Sequence, residues 1–166
     1  IDFTSIGRDG APLPFQKFQG ILSHDILKLV EERMRAIRDA CGYDFDIIVE
    51  NHCRTDAASA IAIGQICDAY KAFAYEEVTT MLNPGMHRVV RDKVMTPIAA
   101  GERIYSRWGY MNFFKDDSIQ LIQPDVCNCG GLSEAKKICD LAQIFDVSVQ
   151  AHVAGSPLST AAALHL

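Results

Sequence analysis

Asp46-Ile47-Ile48-Val49-Glu50, Ala72-Phe73-Ala74-Tyr75-Glu76 and Pro97-Ile98-Ala99-Ala100-Gly101-Glu102 are three apolar runs that each end on glutamate. The glutamates stand 26 residues apart. Two further runs, Leu121-Ile122-Gln123-Pro124-Asp125 and Val147-Ser148-Val149-Gln150-Ala151-His152, end on an acid and a histidine. Short, nearly continuous apolar segments are the pattern of parallel strands buried on both faces. A strand, a helix and their loops take about 25–30 residues. The spacing therefore predicts parallel strands near 46–50, 72–76, 97–101, 119–123 and 147–151, neighbours in chain order in one sheet. Their terminal acids and histidine would project from the C-terminal edge, the edge where α/β folds bind ligands.

Amphipathic helices fill the intervals. Ser23 is placed to cap one that buries Ile26, Leu27, Val30, Met34 and Ile37. Asp56 is placed to cap a second, with Ala58, Ile61, Ala62 and Tyr70 inward. Ser106 starts a helix with Trp108, Met111 and Phe114 apolar, and Ser133 caps another through Ala135, Ile138, Cys139 and Ala142. Ser156-Pro157 reads as an N-cap followed by proline at the first helical position. The class is α/β, with no linker or charge block to divide the chain. The long irregular stretch from Gly7 to Gly20 is read as a loop that covers a site.

At 166 residues the chain has the length of about one domain, and its net charge of −5 gives no reason to expect nucleic acid or a membrane surface. No apolar stretch approaches the roughly 20 residues that span a bilayer, and no secretory leader is visible. The expected location is cytoplasmic. Six cysteines contain no C-x-x-C pair, so reduced thiols are expected rather than zinc or disulfides. The chain opens on Ile1-Asp2-Phe3 without Met, which suggests that a preceding portion is missing.

Three converging carboxylates repel one another unless a cation lies between them. All-oxygen ligation favours a hard ion, and Mg²⁺ suits a few carboxylates with the remaining positions left to water and substrate. Glu50, Glu76 and Glu102 are the expected ligands. Asp125 ends the strand before His152, so it can orient one imidazole nitrogen and leave the other as a general base. His52 lies two residues past Glu50, and an extended backbone would turn it to the same side as an acid or base.

The chain resembles the enolase superfamily in Glu50-Asn51-His52-Cys53-Arg54, Tyr75-Glu76-Glu77, Ala100-Gly101-Glu102-Arg103-Ile104-Tyr105-Ser106-Arg107-Trp108, Ile122-Gln123-Pro124-Asp125, Gly130-Gly131-Leu132-Ser133-Glu134 and Ala151-His152. Within it the chain is most similar to the mandelate racemase branch and the galactonate- and gluconate-type dehydratases. That resemblance implies a (β/α)7β TIM-like barrel, of which residues 1–166 would form an incomplete domain from about the second to the seventh strand. The capping domain and last strand would be absent, and the stretch alone inactive. Glu50, Glu76 and Glu102 fall on the family's Mg²⁺ ligands, and His152 with Asp125 on its catalytic dyad. Glu50 stands where the family often has aspartate, and Val78 replaces a common proline.

The resemblance further implies Mg²⁺-dependent dehydration of a sugar acid by α-proton abstraction through a metal-stabilised enediolate, giving a 2-keto-3-deoxy acid. His152 would be the base, Asp125 its orienting partner and His52 the acid for the leaving hydroxyl. Arg54, Arg103 and Arg107 would hold the polyhydroxy chain or pair with acids such as Glu77. Asp2 would be the tail of the second-strand lysine motif and touch substrate. The expected partner is a small-molecule sugar acid, with a homo-oligomer at full length. The alternatives are a racemase or epimerase of an α-hydroxy acid, or a non-catalytic homologue. A flavodoxin-like magnesium-binding module fits the number of units poorly.

Overall fold

A computed structural model describes residues 6–18 and 20–166; Asp2 lies outside the described residues. Five strands follow one another in chain order in a parallel sheet, β1 (Ile48–Glu50), β2 (Ala74–Glu76), β3 (Ile98–Ala100), β4 (Leu121–Ile122) and β5 (Ser148–Val149). All five fall inside the predicted segments but are only two or three residues long. Pro97 and Pro124, flanking β3 and β4, have no N–H to extend a ladder. The chain divides into two compact units, residues 1–98 and 99–166.

In the first unit β1 pairs with β2 in parallel, with Glu50 level with Glu76. Helices α1 (His24–Cys41), α2 (Ala57–Ala69) and α3 (Pro84–Arg91) belong to this unit. α1 buries Ile26, Leu29, Val30, Met34 and Arg38, as its spacing requires; Leu27 and Ile37 are half-buried at the flanks. Ser23 occupies the N-cap, but its hydroxyl donates to Asp25 instead of receiving a backbone N–H. Asp56 does cap α2, accepting the Ser59 N–H at 2.9 Å. The inward face of α2 differs from expectation. Ser59, Ala60, Ile63, Gly64 and Cys67 are buried, while Ala58 is exposed. α2 is apolar nearly all round, so periodicity cannot choose its face.

Arg38 holds this unit's loops. Its guanidinium, 4% exposed, donates to the carbonyls of Tyr70 (2.8 Å), Gly42 (3.0 Å), Phe45 (2.6 Å) and Lys71 (2.7 Å). One buried cation thereby satisfies the backbone leading into β1 and into β2. The described part of the Gly7–Gly20 stretch lies on α1: Arg33 donates to the Gly7 carbonyl at 3.2 Å, and Arg8 pairs with Glu32.

In the second unit β3 pairs with β4 and β4 with β5, all parallel. Helices α4 (Ser106–Lys115), α5 (Leu132–Ile144) and α6 (Pro157–Ala163) complete it. α4 buries Tyr110, Phe113 and Phe114, and leaves Trp108 74% exposed. Of the expected apolar residues Phe114 is buried and Met111 half-buried; only Trp108 stays outside, while the ring of Phe114 stacks between Tyr110 and Phe145, at 5.8 and 5.4 Å. The N-cap of α5 is Gly131, not Ser133. None of the six cysteines is in a disulfide, and burial pushes the thiol pKa values of Cys67 and Cys129 up. Among the described residues no helix is long and apolar enough to cross a membrane.

Two measurements follow from this packing. Arg38→Met strips four carbonyls of their donor and is expected to lower the unfolding free energy by about 2–4 kcal/mol in urea titrations. His87 is fully buried on α3, and desolvation lowers its pKa from 6.5 to about 4. Between those values the unfolded chain takes a proton that the folded one refuses, so stability is full above pH 6.5 and falls as pH drops toward 4. The urea midpoint is expected to fall between pH 7 and pH 5, and His87→Leu to flatten that slope.

Candidate functional site

Parallel register sets the first half of the site. Glu50 and Glu76 end β1 and β2 at the same level. Glu76 is 7% exposed, and its carboxylate takes no hydrogen bond or ion pair among the described residues. Glu50 accepts the His52 N–H at 2.8 Å, and His52 Nε2 lies 3.8 Å from its carboxylate. His52 does reach Glu50, but not along an extended strand. β1 stops at Glu50, and His52 and Cys53 take left-handed backbone, φ 52° and 55°. The turn is locked from β2's side, where Asn51 N–H donates to the Glu76 carbonyl (3.0 Å) and Cys53 N–H to the Glu77 carbonyl (2.8 Å). Asn51 Nδ2 adds bonds to Thr55 Oγ1 and the Val78 carbonyl, both 2.9 Å. Arg54 is half-buried in the same turn, its N–H on the Asn51 carbonyl at 3.1 Å.

The second unit brings together Glu102, Asp125 and His152. His152 Nδ1 is 2.7 Å from Asp125 Oδ2, and Nε2 is 2.8 Å from Glu102 Oε2. A carboxylate can only accept, so a hydrogen lies on Nδ1 toward Asp125, and the contact with Glu102 likewise needs a hydrogen between Nε2 and Oε2. Asp125 is itself fixed, its other oxygen accepting the Cys127 N–H at 2.7 Å. The predicted Asp125–His152 dyad is thus present. Its extension to Glu102 was not foreseen, although Glu102 and Asp125 end adjacent strands, which is a legible signal.

Glu102 is set by a glycine. A Cβ at Gly101 would lie 2.3–2.4 Å from the backbone of Gln123, so only glycine allows β3 to pass β4 here. The Gly101 carbonyl accepts the Tyr110 hydroxyl and the Ile104 N–H, both at 3.0 Å. Two expected substrate-binding arginines are engaged with acids: Arg103 Nη2 lies 2.9 Å from Glu102 Oε1, and Arg107 Nε lies 3.3 Å from Glu134 Oε1. A groove of about 670 Å³ in the first unit, lined by Leu27, Lys28, Ala62 and Ile66, runs between α1 and α2 and does not include the strand-end acids.

Residues 15–166 match the family described as Enolase C-terminal domain-like. The chain belongs to that family. Its α/β sheet of five parallel strands accordingly represents part of the enolase-type barrel. The D-gluconate dehydratase of Thermoproteus tenax is 32% identical over 153 residues, covering 92% of this chain and 31% of that protein. A D-galactonate dehydratase of Pectobacterium atrosepticum is 31% identical over 130 residues, 78% of this chain and 34% of that protein. A crystal structure of an enolase superfamily member from Salmonella Typhimurium superposes with a TM-score of 0.95 at 50% identity, covering 99% of this chain and 42% of that one. The chain therefore spans about a third of the length of the two named dehydratases, which are lyases.

Proposed function

We propose that this protein dehydrates a sugar acid in the cytoplasm, removing the proton α to the carboxylate and the hydroxyl on the next carbon. The observation that carries this reading is the hydrogen-bonded dyad of Asp125 and His152 at 2.7 Å, in a family whose named relatives include several sugar-acid dehydratases. Asp125 holds hydrogen on Nδ1, so Nε2, once it gives up its contact with Glu102, is the nitrogen that receives the α-proton. The β-hydroxyl then departs as water with a proton from an acid, and the resulting enol becomes a 2-keto-3-deoxy acid. His52, beside Glu50, is the acid in this scheme.

Glu50, Glu76 and Glu102 would hold Mg²⁺. The donor set fits, since Glu50 and Glu76 are level on paired strands and Glu76 is a buried carboxylate without a basic partner among the described residues. When bound, the ion supplies positive charge where the substrate carboxylate gains electron density. Arg54 and Arg103 would bind the hydroxylated chain, Arg103 from its place beside Glu102.

His152→Asn is expected to abolish exchange of the substrate α-proton with deuterium oxide while Mg²⁺ titrates calorimetrically as before. Exchange at the native rate would falsify the base assignment. His52→Ala is expected to keep that exchange and to lose about 10²–10⁴-fold of keto product, the usual range of general acid help. A C2 epimer in place of keto product from the native protein would replace dehydration with epimerisation.

A further inference from the structure

The segment Gly130-Gly131-Leu132-Ser133-Glu134 has no part in the chemistry above, yet Glu134 reaches across to another helix. Its Oε1 accepts the Arg107 N–H at 2.9 Å. Arg107 lies in the first turn of α4, where backbone N–H groups have no partner within the helix. Tyr105, at the N-cap, makes no side-chain cap. Glu134 supplies the missing cap from α5, 27 residues away.

Glycine makes this reach possible. Gly130 has φ +118°, and a Cβ there would meet Glu134 Cβ and Cγ at 3.1 Å. The Glu134 stem lies over the space a side chain would need.

The cap closes a set of bonds between two loops of the second unit. One loop follows β3 and carries Glu102; the other follows β4 and carries Asp125. Asn128 Nδ2 donates to the Glu102 carbonyl (3.3 Å), and Ser106 N–H donates to the Cys129 carbonyl (3.1 Å). The Asp125 carbonyl accepts the N–H groups of Asn128 (3.0 Å) and Cys129 (2.8 Å). Ser106 stands at φ 55°, a left-handed conformation that a non-glycine residue keeps only when its surroundings impose it.

We infer that Glu134 is a positioning residue: by capping α4 it fixes the Glu102 loop against the Asp125 loop, and so sets how Glu102 and Asp125 bracket the His152 ring. The inference rests on the proposed function for what those residues do, and it concerns reach, not charge.

Two substitutions separate reach from charge. Glu134→Gln keeps the length and an accepting oxygen; Glu134→Asp keeps the charge and is one methylene too short. In the protein, Glu134→Asp is expected to lower kcat for sugar-acid dehydration about 10–100-fold, the usual cost of losing an outer partner, with KM little changed. Glu134→Gln is expected to retain kcat near the native value. In protein labelled with ¹⁵N-histidine, the His152 ring signals should move in Glu134→Asp and stay in place in Glu134→Gln. If Glu134→Asp keeps native kcat and native His152 signals and only its thermal midpoint falls, Glu134 is merely a helix cap and the inference is overturned. Impairment in Glu134→Gln with native behaviour in Glu134→Asp overturns it as well. A native protein that dehydrates no sugar acid removes the functional reading, and the His152 signals then still decide the role of Glu134.

Discussion

In a parallel ladder the neighbour of each residue is the residue at the same level on the next strand. Glu50 stands beside Glu76 for that reason, as Ile48 stands beside Ala74. Two carboxylates side by side at a buried strand end repel, and the arrangement is stable only if a cation or a proton separates the charges. The same rule puts the end of β3 next to the end of β4, so Glu102 and Asp125 approach one imidazole from two sides. The backbone fixes the acids first, and the chemistry open to them follows.

Much of this was legible in the chain. Buried strands cannot carry polar residues in their middles, so Ile47-Ile48-Val49 and Ile98-Ala99-Ala100 stood out, and the terminal acids marked one edge. The Asp125–His152 pair followed from two adjacent strand ends. Helix faces were less legible where apolar residues surround the helix. α2 offered Ala58, Ile61 and Ala62 as readily as Ala60, Ile63 and Cys67, and only packing chose the second set.

Other features were illegible because they rest on backbone conformation or on distant partners. Nothing in Asn51-His52-Cys53 announces two successive left-handed residues; the Glu76 and Glu77 carbonyls impose them. Arg38 reads as a polar interruption of an apolar face, yet it binds four carbonyls brought together by folding. Arg103 and Arg107 looked equally suited to substrate or to acids, and each has an acid beside it.

Gly101 touches no reacting atom, and it contributes nothing to any proton path. Yet the Gln123 backbone leaves its α-carbon no room for even a methyl group. In a saturation scan scored only by growth on a substrate, position 101 would look as intolerant as a catalytic histidine, and a map of essential residues drawn from such a scan would extend beyond the residues that do chemistry.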